Sequence, residues 1–65
     1  MQVTINGEVQ TIAPQTMQQL LDSLGIDPRK IAVERNAEIM PKAVYGETAL
    51  CDGDRIEIVH FVGGG

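Results

Sequence analysis

The chain has a single cysteine, no tryptophan, one tyrosine and one phenylalanine. With Cys51 alone, an internal disulfide framework is excluded and a cysteine-based zinc cluster lacks its ligands. Long apolar runs are missing as well. Nothing approaches the ~18 apolar residues of a membrane span, and no signal peptide is read at the N-terminus. The expected setting is therefore a reducing cytoplasm, with no membrane partner. Positive charge is scarce. Arg29, Lys30, Arg35, Lys42 and Arg55 are scattered among nine acidic residues, for a net charge of −4. That balance weighs against nucleic acid, which requires clustered cations to neutralise phosphates, and suits a basic protein partner. Length is limited too. Sixty-five residues make one domain with a thin core, burying about 60% of the surface of the unfolded chain. A substrate pocket of ~300 Å³ is hard to build around such a core, so catalysis by this chain alone is not expected.

What remains is a globular composition, 43% apolar and 22% charged, with strong local signals. "MQVTINGEVQTI" opens on alternation, and Asn6-Gly7 is the turn that two-residue hairpins favour. That register pairs Ile5 with Glu8, Val3 with Gln10 and Met1 with Ile12. It sends Ile12 to the core and Val9 to the other face, and leaves Glu8 and Gln10 to be explained by a sheet margin or a longer turn. In "TMQQLLDSLG", Thr16 and Gln19 match a capping box. Met17, Leu20, Leu21 and Leu24 form one helical core stripe, Gly25 suits the left-handed position after the helix, and Ile26 can fold back onto it. "DPRK" is a turn. "IAVER" is a strand with Ile31 and Val33 inward, Asn36-Ala37 turns, and "EIMP" is a short edge strand ended by Pro41. "KAVYGETAL" has no clean period and is expected as loop with a short helical turn. "CDGD" is a tight turn. "RIEIVHFV" is the last strand, with Ile56, Ile58 and His60 on one face and Glu57, Val59 and Phe61 on the other. Hairpin, helix, strand, short strand and terminal strand give an α+β fold, a four- to five-stranded sheet with one main helix across one face.

Few residues are equipped for chemistry. Cys51 precedes Asp52 and Asp54, and acidic neighbours disfavour a thiolate, so a structural or incidental role is expected over a nucleophile or persulfide carrier. His60 has no second histidine or nucleophile to serve and is expected to be structural. "CDGD" lacks the further oxygen donors and terminal Glu of a calcium loop. Val59 and Phe61 face away from the helix and can form a docking patch. After them comes "VGGG", Val62 to Gly65. Three extended glycines carry a carboxylate about 10 Å beyond the last anchored residue, and without Cβ atoms they fit a narrow slot in another protein. The reactive group of such a tail is its α-carboxylate, which ATP can activate as an acyl-adenylate for attack by sulfur or an amine. An idle, fraying end is the alternative. The expected division is residues 1–61 as the folded domain and 62–65 as a flexible C-terminal glycine tail.

"MQVTINGE", "AVERN" with "EIMPK", and above all "DGDRIEIVHFVGGG" resemble the ubiquitin-like sulfur carriers of the β-grasp fold, and within them the thiamin-pathway branch. The resemblance covers the whole chain. It implies a carrier rather than an enzyme, with no stably bound cofactor. An E1-like, ThiF-like adenylyltransferase would use ATP-Mg to adenylate the Gly65 carboxylate. A persulfide from a cysteine desulfurase or rhodanese-like protein would convert it to a thiocarboxylate, and a ThiG-like thiazole synthase would take the sulfur. Gly65 is then the modified residue, Gly63 and Gly64 the tail required for activation, and Val59, Phe61 and Val62 the partner contacts. Related carriers serve tRNA thiolation or molybdopterin synthesis, and the latter are usually longer. A plain interaction domain with an idle tail, or an enzyme built on Cys51 and His60, are the readings from other classes.

Overall fold

The structure, a computed structural model, describes residues 1–61. The expected tail, with Val62, Gly63, Gly64 and Gly65, lies outside the described residues. Strand β1 (Gln2–Ile5) turns at Asn6-Gly7 into β2 (Glu8–Thr11). Both turn residues take positive φ, 48° and 85°, as a two-residue turn matched to strand twist requires. The expected register holds: Ile5 faces Glu8 and Val3 faces Gln10, while Met1 and Ile12 exchange main-chain hydrogen bonds of 3.0 and 2.9 Å. Because β2 is the sheet margin, Glu8 stays exposed and Gln10 half-buried although both lie on the core side.

Helix α1 (Met17–Leu24) starts with the capping box. Thr16 Oγ1 accepts from Gln19 N, and Gln19 Oε1 accepts from Thr16 N, at 3.2 and 2.9 Å. At the other end Gly25 is left-handed, its N–H donating to the Asp22 carbonyl while Ile26 N donates to Leu21 O. These two hydrogen bonds satisfy carbonyls that the helix end would otherwise orphan. Met17, Leu20 and Leu21 are buried as expected, but Leu24 is 43% exposed. It is the helix's last residue, and half-buried Ile26 folds back to pack on the core instead.

Strand β3 (Ile31–Arg35) follows a 3₁₀ turn, Pro28–Lys30, and turns at Asn36-Ala37 into β4 (Glu38–Met40). A second 3₁₀ turn, Lys42–Val44, is the short helical turn expected in the otherwise loop-like segment, and β5 (Arg55–His60) is the last described strand. The sheet order is β2-β1-β5-β3-β4, with β1 and β5 parallel and the other pairs antiparallel. A five-stranded mixed sheet with one helix on one face is the β-grasp arrangement.

The aperiodic segment has a use that its sequence conceals. Tyr45 and Leu50 are buried core residues. Main-chain carbonyls of the same segment receive the first free N–H groups of α1, Met17 N to Thr48 O and Gln18 N to Tyr45 O, both 3.0 Å. Those groups have no partner inside the helix, so the loop completes its cap. Burial pushes the Tyr45 pKa up, which the Val33 main chain offsets in part. The hydroxyl meets no partner in hydrogen-bond geometry among the described residues.

Candidate functional site

The strand that precedes the glycines is held along both of its edges. β5 is central, flanked by β1 and β3. Its parallel ladder with β1 covers only Thr4–Arg55 and Ile5–Ile56, because the chain then turns away at Asn6. The Asn6 side chain continues the ladder: its Oδ1 accepts from Ile58 N at 2.7 Å and its Nδ2 donates to Ile58 O at 3.3 Å. A side-chain amide offers the same donor and acceptor as a peptide group, so Ile58 stays satisfied where backbone runs out. On the other side Asn36 does similar work, its Oδ1 accepting from Arg55 N at 3.0 Å. The two asparagines that sequence assigns to turns thus also clamp β5 from both flanks.

Buried Asp54 anchors the start of β5. Its carboxylate accepts from Cys51 N at 2.8 Å, Asn36 Nδ2 at 3.1 Å and Arg35 Nε at 2.9 Å. Burial pushes its pKa up, but the Cys51 N–H, the Asn36 amide and the Arg35 charge outweigh that and hold it below the usual 3.8. Arg35 also donates through Nη2 to Cys51 Sγ at 3.1 Å. Exposed Cys51 therefore has a cationic neighbour, which corrects the purely acidic setting read from its sequence context. His60 needs a correction too. It shares the inward alternation of Ile56 and Ile58 and pairs with Ile31, yet it is exposed. Its cross-strand partner Ile31 is wholly buried, so the cover of the inner face ends between the two. Among the described residues no three His, Cys, Asp or Glu side chains gather where a metal ion could bind.

The face of the sheet turned away from α1 is different. Among the described residues, four of the five exposed large apolar ones, Val9, Ile39, Val59 and Phe61, lie on it or at its end; the fifth is Leu24. Val59 and Phe61 are 53% and 58% exposed, as the docking expectation requires. The register sets half-buried Ala32 opposite Val59 and Glu34 between Ile39 and Glu57. Phe61 is held by its N–H, which donates to Lys30 O at 2.9 Å, and by the Lys42 ammonium 5.1 Å above its ring. Ile39 and Lys42 were not singled out from sequence. Alternation with inward Met40 marks Ile39; nothing local marks Lys42. Glu34, Asn36, Ala37, Arg55 and Glu57 line an open recess of about 410 Å³ beside the apolar residues.

The chain also resembles known proteins in sequence and in fold. The ThiS family model matches residues 3–65. The sulfur carrier protein ThiS of Bacillus subtilis is 56% identical over 50 residues, covering 77% of this chain and 76% of that protein. A thiazole synthase of Paramagnetospirillum magneticum is 53% identical over the whole chain, but the chain spans only 20% of its length. The crystal structure of the thiamine biosynthesis protein ThiS from Geobacter metallireducens superposes with a TM-score of 0.86 at 30% identity, covering all of both chains. By family match, sequence and fold, the chain belongs to the ThiS family.

Proposed function

We propose that this chain is a sulfur carrier for thiamin thiazole synthesis, acting through the carboxylate of Gly65. The observation that carries the proposal is the placement of β5. The strand is central and clamped on both flanks, outward Val59 and, one residue past the strand's end, Phe61 are exposed, and Val62–Gly65 follow Phe61 in the sequence. A partner docked on the outer face would meet Phe61, the residue after which the tail begins, at a fixed place. An E1-like adenylyltransferase transfers AMP from ATP-Mg to the Gly65 carboxylate, releasing pyrophosphate. A persulfide sulfur then displaces AMP, and a thiol cleaves the resulting S–S bond to leave the thiocarboxylate. Gly63 and Gly64 thread the partner's slot; Val59, Phe61 and Val62 form the contact. The carrier itself binds no cofactor and supplies no catalytic group. Curated relatives named thiazole synthase contain a segment like this chain within a longer protein, which supports a thiazole synthase as the acceptor of the sulfur.

Incubating the chain with a purified E1-like adenylyltransferase, ATP-Mg and a persulfide donor should replace one oxygen by sulfur in its intact mass. Deleting Gly65 should abolish that change, and Cys51→Ala should leave it intact. An unchanged mass with all components active would overturn the proposal.

A further inference from the structure

Asn6 has two tasks at once. Its backbone, at φ 48°, makes the first half of the β1–β2 turn, a place that Asn, Asp or Gly can fill. Its side chain does something the turn does not require. The main-chain pairing of β1 with β5 ends where Asn6 N donates to Ile56 O at 2.9 Å. One step further on, Asn6 Oδ1 accepts from Ile58 N and Asn6 Nδ2 donates to Ile58 O. Among the described residues no other hydrogen bond holds that edge of β5 past Ile56. The opposite edge is held further: the ladder with β3 runs to Ile31–His60, and Phe61 N donates to Lys30 O at 2.9 Å. The two ends of β5 therefore differ. Asp54, Arg35 and Asn36 share the work at its start, whereas on the β1 side its outgoing end depends on one side chain.

We propose that Asn6 is a positioning residue for adenylation of the tail, holding the outgoing end of β5 in line so that docking face and carboxylate are presented together. This rests on the sulfur-carrier reading above. In that step a Gly65 carboxylate oxygen attacks the α-phosphorus of ATP, and pyrophosphate leaves. Gly65 is four residues beyond Phe61, so its carboxylate reaches at most about 14 Å from that residue. A partner that grips the outer face at Val59 therefore depends on where Phe61 lies relative to it. With Ile58 unpaired on one edge, the strand end explores more directions, and fewer docked complexes hold the carboxylate at the phosphorus. Such a loss of orientation slows the docked complex rather than its formation.

The test is ATP–pyrophosphate exchange by the purified E1-like adenylyltransferase, with the full chain as the varied substrate, which separates KM from kcat. Asn6→Gly keeps a residue suited to positive φ and removes both side-chain bonds to Ile58. It should lower kcat about fivefold and keep KM within about twofold of the parent. Its Ile58 amide should exchange with solvent deuterium faster than in the parent. Asn6→Asp keeps the acceptor and loses the donor. It should lower kcat in the same direction by less, and it decides the matter should Asn6→Gly fail to fold. Val59→Ala, which trims the docking face, should raise KM instead. Thr16→Ala removes the cap of α1; it should lower the melting temperature and leave both constants unchanged. A parent-like kcat in Asn6→Gly, or in Asn6→Asp where the former does not fold, overturns the positioning role. So does a change confined to KM, or an equal fall in kcat for Thr16→Ala, which would make the effect one of stability. In each of these cases the parent is still adenylated and the carrier reading stands. If the parent supports no exchange, the carrier reading and the positioning role fall together.

Discussion

The two faces of one sheet treat similar residues in opposite ways. On the inner face Ile31, Val33 and Ile56 are wholly buried. On the outer face Val59 and Ile39, on the same or neighbouring strands, are 53% and 75% exposed. The contrast extends to carboxylates. Asp54, buried at the start of β5, is met by a main-chain N–H, an amide and a guanidinium. Glu34 and Glu57 oppose each other across the outer face with no partner among the described residues. One face is finished by the fold and governs stability. The other is left unfinished and is suited to recognition.

The comparison breaks most directly by truncating one apolar residue on each face. Ile56→Ala should cost about 2–5 kcal/mol in urea unfolding, because the site is enclosed and cannot collapse around the cavity. Replacing the satisfied carboxylate comes next. Asp54→Asn should cost about 1–3 kcal/mol, since Arg35 and two N–H donors lose a charged acceptor. Its pH signature sharpens the point. The native pKa of Asp54 lies below its ordinary 3.8, so its contribution is complete above that value and is lost as pH falls through the native pKa. Acid unfolding followed below about pH 4 should therefore be shallower in Asp54→Asn than in the parent. Tyr45→Phe tests the one buried side-chain polar atom that lacks a hydrogen-bond partner among the described residues. Removing an unsatisfied buried hydroxyl should leave the melting temperature unchanged or raise it, by up to about 1 kcal/mol in stability. Smallest of all in stability is Val59→Ala, within about 0.5 kcal/mol of the parent. Its effect should appear instead as slower adenylation by the E1-like partner. A large stability loss at Val59 would erase the distinction between the faces.

Much of the inner face was legible in sequence. Alternation in "QVTI" and "RIEI" places Val3, Ile5, Ile56 and Ile58 inward, and all four are buried. The Met17–Leu20–Leu21 stripe and both helix caps are where their spacing puts them. Tyr45 and Leu50 escaped because they sit in a segment with no repeating backbone geometry, so burial there leaves no period to detect. His60 misled because alternation gives the direction of a side chain but not whether anything lies above it. The outer face was legible only in part. Val59 and Phe61 follow from alternation, whereas the Glu34–Glu57 opposition exists only once β3 and β5 are neighbours in a particular register.

What the sequence determined by itself is local. Asn6-Gly7 turns because both residues tolerate positive φ, and Asn36 does the same in the second turn, where Ala37 takes φ 69° despite its Cβ. Helix α1 starts and stops where Thr16 and Gly25 satisfy groups a few residues away. What only the tertiary structure decided is which distant segments meet. Asn6 reaches Ile58 across 52 residues of chain, Asp54 gathers donors from two turns and a strand end, and β5 comes to lie at the centre of the sheet. Local geometry follows from steric preferences that each residue carries with it. Strand order follows from closing long loops around a shared core, a choice to which every segment contributes at once.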